Sequence, residues 1–147
     1  MLGSIEIEFK KTHPDAVLSK QAHDTDSGYD LTAVEERIIP AKGFCVVPIG
    51  LTVAFITPDY WFRIEARGGL GFKHHLFPHF GIVDNGYRGD CGIKLYNFGD
   101  KDYKINKGDR IAQLVVYPLI KVNTQFVEDI NETERGSNAF GSSDRRV

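Results

Sequence analysis

Asp84 directly follows Gly81-Ile82-Val83 and precedes Asn85-Gly86, with Tyr87 three residues on. A carboxylate can take a proton from water, and one set among Val, Ile and Tyr is expected to be partly desolvated, with its basicity raised. The stretch is equally an ordinary β-hairpin. Ile82-Val83 and Ile93-Lys94-Leu95-Tyr96 supply strand-like flanks, and Asp84-Asn85-Gly86 supplies the turn. A second candidate is Arg67-Gly68-Gly69 at the mouth of a short helix, where backbone N–H groups and a guanidinium would meet an anion. A plain glycine-rich turn has the same composition. Asp30, between Tyr29 and Leu31, is an acid inside a strand-like piece. Near the end, Arg135-Gly136-Ser137-Asn138-Ala139-Phe140-Gly141-Ser142-Ser143 mixes a cation, hydroxyls and one aromatic ring. That mixture suits wrapping phosphates and stacking on a flat base, and it equally describes a disordered tail.

These residues need a scaffold, and the pattern around them is that of short strands. Ile5, Ile7 and Phe9 alternate with Glu6, Glu8 and Lys10, the period-two signature of a half-buried strand. Tyr29 to Ala33, Tyr60 to Ala66, Asp102 to Ile105 and Arg110 to Tyr117 read as further strands. Phe44 to Phe55 is apolar and β-branched throughout, as expected for strands buried on both faces, with a bend at Pro48 and Gly50. Turn signals such as Pro40-Ala41-Lys42-Gly43, Thr57-Pro58-Asp59 and Asn106-Lys107-Gly108-Asp109 separate them, and almost no helical period is present. The expected class is all-β, a jelly-roll-like distorted β-barrel over residues 1–131, followed by a flexible C-terminal arm over 132–147.

The 147 residues suffice for one domain with a sizeable core. Eighteen Lys and Arg against twenty Asp and Glu give a net charge of -2, so no global basic field exists for grasping nucleic acid. No apolar run is long enough to cross a bilayer, and Met1 to Glu6 lacks the features of a secretion signal. The expected location is cytoplasmic, or nuclear in a eukaryotic or viral setting. Cys45 and Cys91 sit in apolar strand-like sequence without CxxC spacing and are expected as buried free thiols.

Five ordered stretches together resemble the motifs of the homotrimeric dUTPase family. They are Ser27-Gly28-Tyr29-Asp30-Leu31-Thr32-Ala33, Ala66-Arg67-Gly68-Gly69-Leu70, Gly81-Ile82-Val83-Asp84 with Tyr87-Arg88-Gly89, Lys107-Gly108-Asp109-Arg110-Ile111-Ala112-Gln113-Leu114, and Arg135-Gly136-Ser137 with Phe140-Gly141-Ser142. The resemblance covers the chain from about residue 5 onward.

The resemblance implies a trimer whose active sites are shared between chains, splitting dUTP into dUMP and pyrophosphate with Mg2+ on the triphosphate. Asp84 would be the general base. Gly81, Tyr87, Gly92 and Ile93 would hold base and sugar, with Phe140 stacking on uracil. Arg67, Gly68, Gly69 and Gln113, with Arg135, Gly136, Ser137, Gly141 and Ser142 of the tail, would bind the phosphate chain. Asp30 would hold the magnesium ion through its waters, and Asp109 and Arg110 would be a supporting ion pair. Two other activities share the scaffold: a weakly catalytic nucleotide-binding regulator, and a dCTP deaminase, against which Lys94 speaks because it stands where those enzymes carry glutamate.

The chain departs from the family pattern in three places. Gly68 replaces a serine whose hydroxyl contacts phosphate, and Asn138 and Ala139 replace a glycine pair, where Ala tolerates left-handed backbone poorly. Phe77-Pro78-His79-Phe80 is bulkier than the family's residues and, where it lines the base pocket, would alter selectivity.

Overall fold

Gly50 divides the apolar run from Phe44 to Phe55 into two strands by adopting a left-handed backbone, φ 67°. The computed structural model describes residues 3–141 and 143. In it β1 (Ile7–Lys11), β2 (Tyr29–Thr32), β3 (Arg37–Ile39), β4 (Phe44–Val47), β5 (Leu51–Ile56) and β6 (Tyr60–Glu65) lead to a single short helix, α1 (Gly68–His74). Five strands follow: β7 (Leu76–Pro78), β8 (Gly81–Val83), β9 (Ile93–Asn97), β10 (Tyr103–Ile105) and β11 (Arg110–Pro118). The strands form a four-stranded sheet in the order β2-β11-β6-β8, a three-stranded sheet β4-β9-β7, and the pairs β1-β5 and β10-β3. Every pairing is antiparallel.

The sheets enclose one core in which Ile39, Val47, Ile49, Leu95, Ile105 and Ile111 are fully buried, and Phe62 and Leu114 nearly so. β6 shows why the sequence folds this way. Phe62 and Ile64 turn inward while Trp61, Arg63 and Glu65 stay half-buried on the other face, the alternation a one-sided sheet requires. Among the described residues no helix is long and apolar enough to cross a membrane.

Three expectations change. The stretch around Asp84 is not a hairpin: β8 pairs with β6, and β9 pairs with β4 and β7 in the other large sheet, so residues 84–92 connect two sheets. Both flanks are strand-prone, but each finds a better-matched partner distant in sequence. β4 is not buried on both faces either, since Phe44 and Val46 are 57% and 55% exposed on the uncovered side of an edge strand. Of the two free thiols, Cys91 is buried and Cys45 only half-buried. Burial pushes the Cys91 thiol up to about 11, with the charge of Asp90 adding to it.

Beyond Pro118 the chain leaves the barrel. After the Leu119 N–H bond to the Asp59 carbonyl, its remaining hydrogen bonds among the described residues are local ones between residues 133 and 139. Ile120, Val122, Phe126, Val127 and Ile130 are all exposed.

Candidate active site

Asp30, Gln113 and Glu65 stand side by side on β2, β11 and β6, paired in register and so sharing one face of the four-stranded sheet. The Asp30 side chain is 16% exposed, and its carboxylate meets Arg67 Nε at 3.0 Å and Arg110 Nη1 at 3.5 Å. Arg67 is the residue capping α1, in extended conformation, and its Nη1 also donates to the Arg110 carbonyl at 3.3 Å. Arg110 therefore pairs with Asp30 and not with Asp109, whose carboxylate instead accepts the Asn106 N–H at 2.8 Å in the preceding turn.

Gln113 is wedged in place. Its Nε2 donates to the Ala66 carbonyl at 2.8 Å, and a Cβ on Gly28 would overlap its Oε1. Gly28, Asp30, Arg67, Gly68 and Gln113 thus line a polar recess of about 360 Å³. A neighbouring recess of about 440 Å³ continues past Arg67 and Gly69 to Lys73, His74, Tyr103 and Arg110. A Cβ on Gly68 or Gly69 would meet nothing within 4 Å, so both backbones are open to a ligand. The sequence reading missed Lys73 and His74. Their signal was two basic residue types in the last turn of the helix that begins after Arg67.

Asp30 offers a metal ion only one carboxylate, and no group of three or more His, Cys, Asp or Glu side chains converges among the described residues. Such a donor set makes no protein cage. It fits an ion that arrives on a triphosphate and keeps much of its water, with Asp30 accepting hydrogen bonds from that water.

Asp84, Gly81, Tyr87, Gly92 and Ile93 are brought together around a second recess of about 230 Å³, with Ile64, His79, Asp90, Cys91 and Lys94. Asp84 itself is exposed in the single chain, so the expected desolvation is absent there. Tyr87 is fixed: its Oη donates to the Asp90 carbonyl at 2.7 Å, and its N–H to the Asp84 carbonyl at 3.0 Å. The Gly92 N–H is engaged by Asp90 Oδ2 at 2.9 Å. The bulky segment before β8 is occupied elsewhere. Phe77 packs on Phe98 at 5.8 Å between ring centroids, His79 Nδ1 hydrogen-bonds Tyr96 Oη at 3.3 Å, and Phe80 is exposed, so only His79 borders the recess.

The two halves lie apart within one chain. β8 runs antiparallel to β6, with Ile64 opposite Gly81 and Phe62 opposite Val83. The chain therefore reaches Arg67 beside the start of β8 and Asp84 at its other end, and the Asp84 recess shares no residue with the two around Arg67. The described tail residues join neither. Arg135 curls onto its own turn, bonding the carbonyls of Asn138 at 2.9 Å and Ala139 at 3.4 Å, and Phe140 is fully exposed. In this open tail, positive φ falls on Gly136 and Gly141 and not on Asn138 or Ala139. Ser137 stands exposed beside them, and Ser142 lies outside the described residues.

Comparison with known proteins gives this arrangement a family. The dUTPase family model matches residues 15–144. The deoxyuridine 5'-triphosphate nucleotidohydrolase of Gloeothece citriformis is 37% identical over 141 residues, 95% of this chain and 97% of that protein. The enzyme of the same name from Helicobacter pylori is 39% identical over 143 residues, with the same shares covered. Among solved structures, the dUTPase of Staphylococcus bacteriophage 80alpha with dUPNHPP superposes with a TM-score of 0.85 at 27% identity, covering 94% of this chain and 98% of that one. The matched span takes in all three recesses and the described tail, and the chain belongs to the dUTPase family.

Proposed function

We propose that the chain hydrolyses dUTP to dUMP and pyrophosphate in sites assembled from more than one copy, with a homotrimer as the assembly. The observation that carries this is the separation of a carboxylate recess from an arginine recess at opposite ends of β8. Neither half can complete the reaction alone, and a neighbouring copy supplies what each lacks. The tail, whose described residues make no hydrogen bond to their own barrel after Leu119, closes over a neighbour's site in this reading. Relatives carrying the family's name act on deoxyuridine 5'-triphosphate, and the phage enzyme was solved with a dUTP analogue.

In this reading Asp84 accepts a proton from a water molecule as its oxygen attacks the α-phosphorus. The bond to the bridging oxygen breaks, and pyrophosphate leaves with the bonding pair. Water is a poor nucleophile, so a positioned base contributes about 10²–10⁴-fold. Arg67, the Gly68 and Gly69 backbone and Gln113 bind the phosphate chain, where charge shifts as pyrophosphate departs. Arg135, Gly136, Ser137, Gly141 and Ser142 close over the phosphates from the tail, with Phe140 stacking on uracil and bulk water excluded. Tyr87, fixed by its bond to Asp90, stands against the deoxyribose where a 2′-hydroxyl would fall. The backbone at Gly92 and Ile93 reads the uracil edge, with Gly81 forming the opposite wall. A magnesium ion held on the triphosphate, with Asp30 bonding its waters, supplies charge neutralisation.

The test is pyrophosphate release by the purified chain with Mg2+ from dUTP, dCTP, dTTP and UTP. Turnover of dUTP alone is expected. Retained dUMP binding without any turnover would make the protein a regulator on this scaffold, and ammonia released from dCTP would make it a deaminase.

A further inference from the structure

The connection from β8 to β9 carries Asp84 and Tyr87, and its two halves are fastened differently. The far half is laid on β5, with the Val53 N–H bonded to the Gly89 carbonyl at 3.2 Å and the Cys91 N–H to the Leu51 carbonyl at 3.1 Å. The near half, residues 84–88, has no such backbone ladder among the described residues. Its hydrogen bonds stay inside the connection, except for those of one side chain. That side chain is the Asn85 amide. Its Nδ2 donates to the carbonyls of Tyr60 at 2.8 Å and Thr57 at 2.9 Å, with the Ile56 carbonyl at a longer 3.5 Å.

An amide nitrogen has two N–H groups, and here both are spent on the β5–β6 turn. The turn is itself held firmly, because Thr57 exchanges hydrogen bonds with the backbone of Glu6. On the other side of Asn85, its carbonyl accepts Arg88 Nη1 at 2.8 Å, so the residue is gripped at both its side chain and its main chain. Asp84 is bonded to Asn85 covalently and is exposed, with no hydrogen bond to its own carboxylate among the described residues.

We propose that Asn85 is a positioning residue for the reaction, its amide clamping the near half of the connection to the β5–β6 turn so that the Asp84 carboxylate is held at the attacking water. The inference rests on Asp84 being the general base. Tyr87 is held from the far half, through Asp90, so loosening Asn85 displaces the base more than the sugar gate.

Asn85→Asp keeps the size of the side chain and removes both donors. In the full-length protein the expected result is a kcat lower by about tenfold to a hundredfold, the scale of a misplacement near 1 Å, with KM for dUTP nearly unchanged. Asn85→Ser, which keeps one donor, is expected to fall between, and it serves as the readout where Asn85→Asp does not fold. In an Asp84→Asn background, Asn85→Asp is expected to bring no further loss, because it acts through the missing base. A folded Asn85→Asp with wild-type kcat, or losses that multiply in the double variant, would overturn the inference. Wild-type turnover of Asp84→Asn alone would overturn the base assignment and this inference with it.

Discussion

Asp30 and Arg67 form an ion pair at 3.0 Å in the polar recess beside Gln113, with Arg110 joining from the paired strand. The carboxylate is mostly buried and the guanidinium about one-third exposed, which screens the pair less than a surface contact. Asp30 therefore aims two arginines, and in the proposed reaction it would also carry the charge that bonds a magnesium ion's water. Asp30→Asn is expected to lower kcat/KM for dUTP by about tenfold to a hundredfold, the equivalent of about 1.5–3 kcal/mol for a hydrogen bond to a charged group. Steady-state kinetics over a range of Mg2+ concentrations check this, since loss of the aiming role alone would not shift the magnesium dependence.

Gly28 and Gln113 form the tightest contact in the site, since a methyl group on Gly28 would overlap the Gln113 amide oxygen. Gly28→Ala is expected to drive Gln113 off the Ala66 carbonyl and to raise KM for dUTP about as much as Gln113→Ala does, while the fold survives. The double variant measures whether they act as one unit, in which case its loss equals that of either alone.

Much of this was legible in the sequence, and the reasons differ by residue. β6 alternates cleanly between core and outer face, so Trp61 to Glu65 declared itself. The helix after Arg67 was signalled by the glycines at its start. The pairing of β8 was not legible, because Ile82-Val83 has the composition to pair with either neighbour and only the three-dimensional register decides. β3 and β7 are three residues long, too short to show a period. Gly28 against Gln113, and Asn85 against Thr57 and Tyr60, join positions far apart in the chain, and no spacing rule connects them.

Gly68 lies open, with nothing within 4 Å of where a side chain would start. Restoring the family's serine is therefore expected to cost no packing and to add one hydroxyl toward the phosphates. For Gly68→Ser the expected change is a fall in KM for dUTP of about two- to fivefold, corresponding to a neutral hydrogen bond of about 0.5–1 kcal/mol.

Among the described residues the tail contributes no hydrogen bond to its own barrel beyond Leu119. Removal of residues 134–147 is expected to leave the assembly and its melting temperature nearly unchanged while turnover falls by two orders of magnitude or more, on the scale expected of losing several transition-state contacts. Sedimentation and activity on the same sample separate the two effects, and dissociation into monomers would contradict the prediction.

In the proposed assembly the base and the phosphate-binding arginine of one working site come from different copies. Asp84→Asn and Arg67→Ala chains, each expected to keep only a small residual rate alone, can be unfolded, mixed and refolded together. Hybrid assemblies then contain some sites that combine an intact Asp84 from one chain with an intact Arg67 from another. The account predicts that dUTP hydrolysis returns on mixing, to a fraction of the wild-type rate set by the proportions of the two chains. Verified hybrids that remain as inactive as their parents would contradict it.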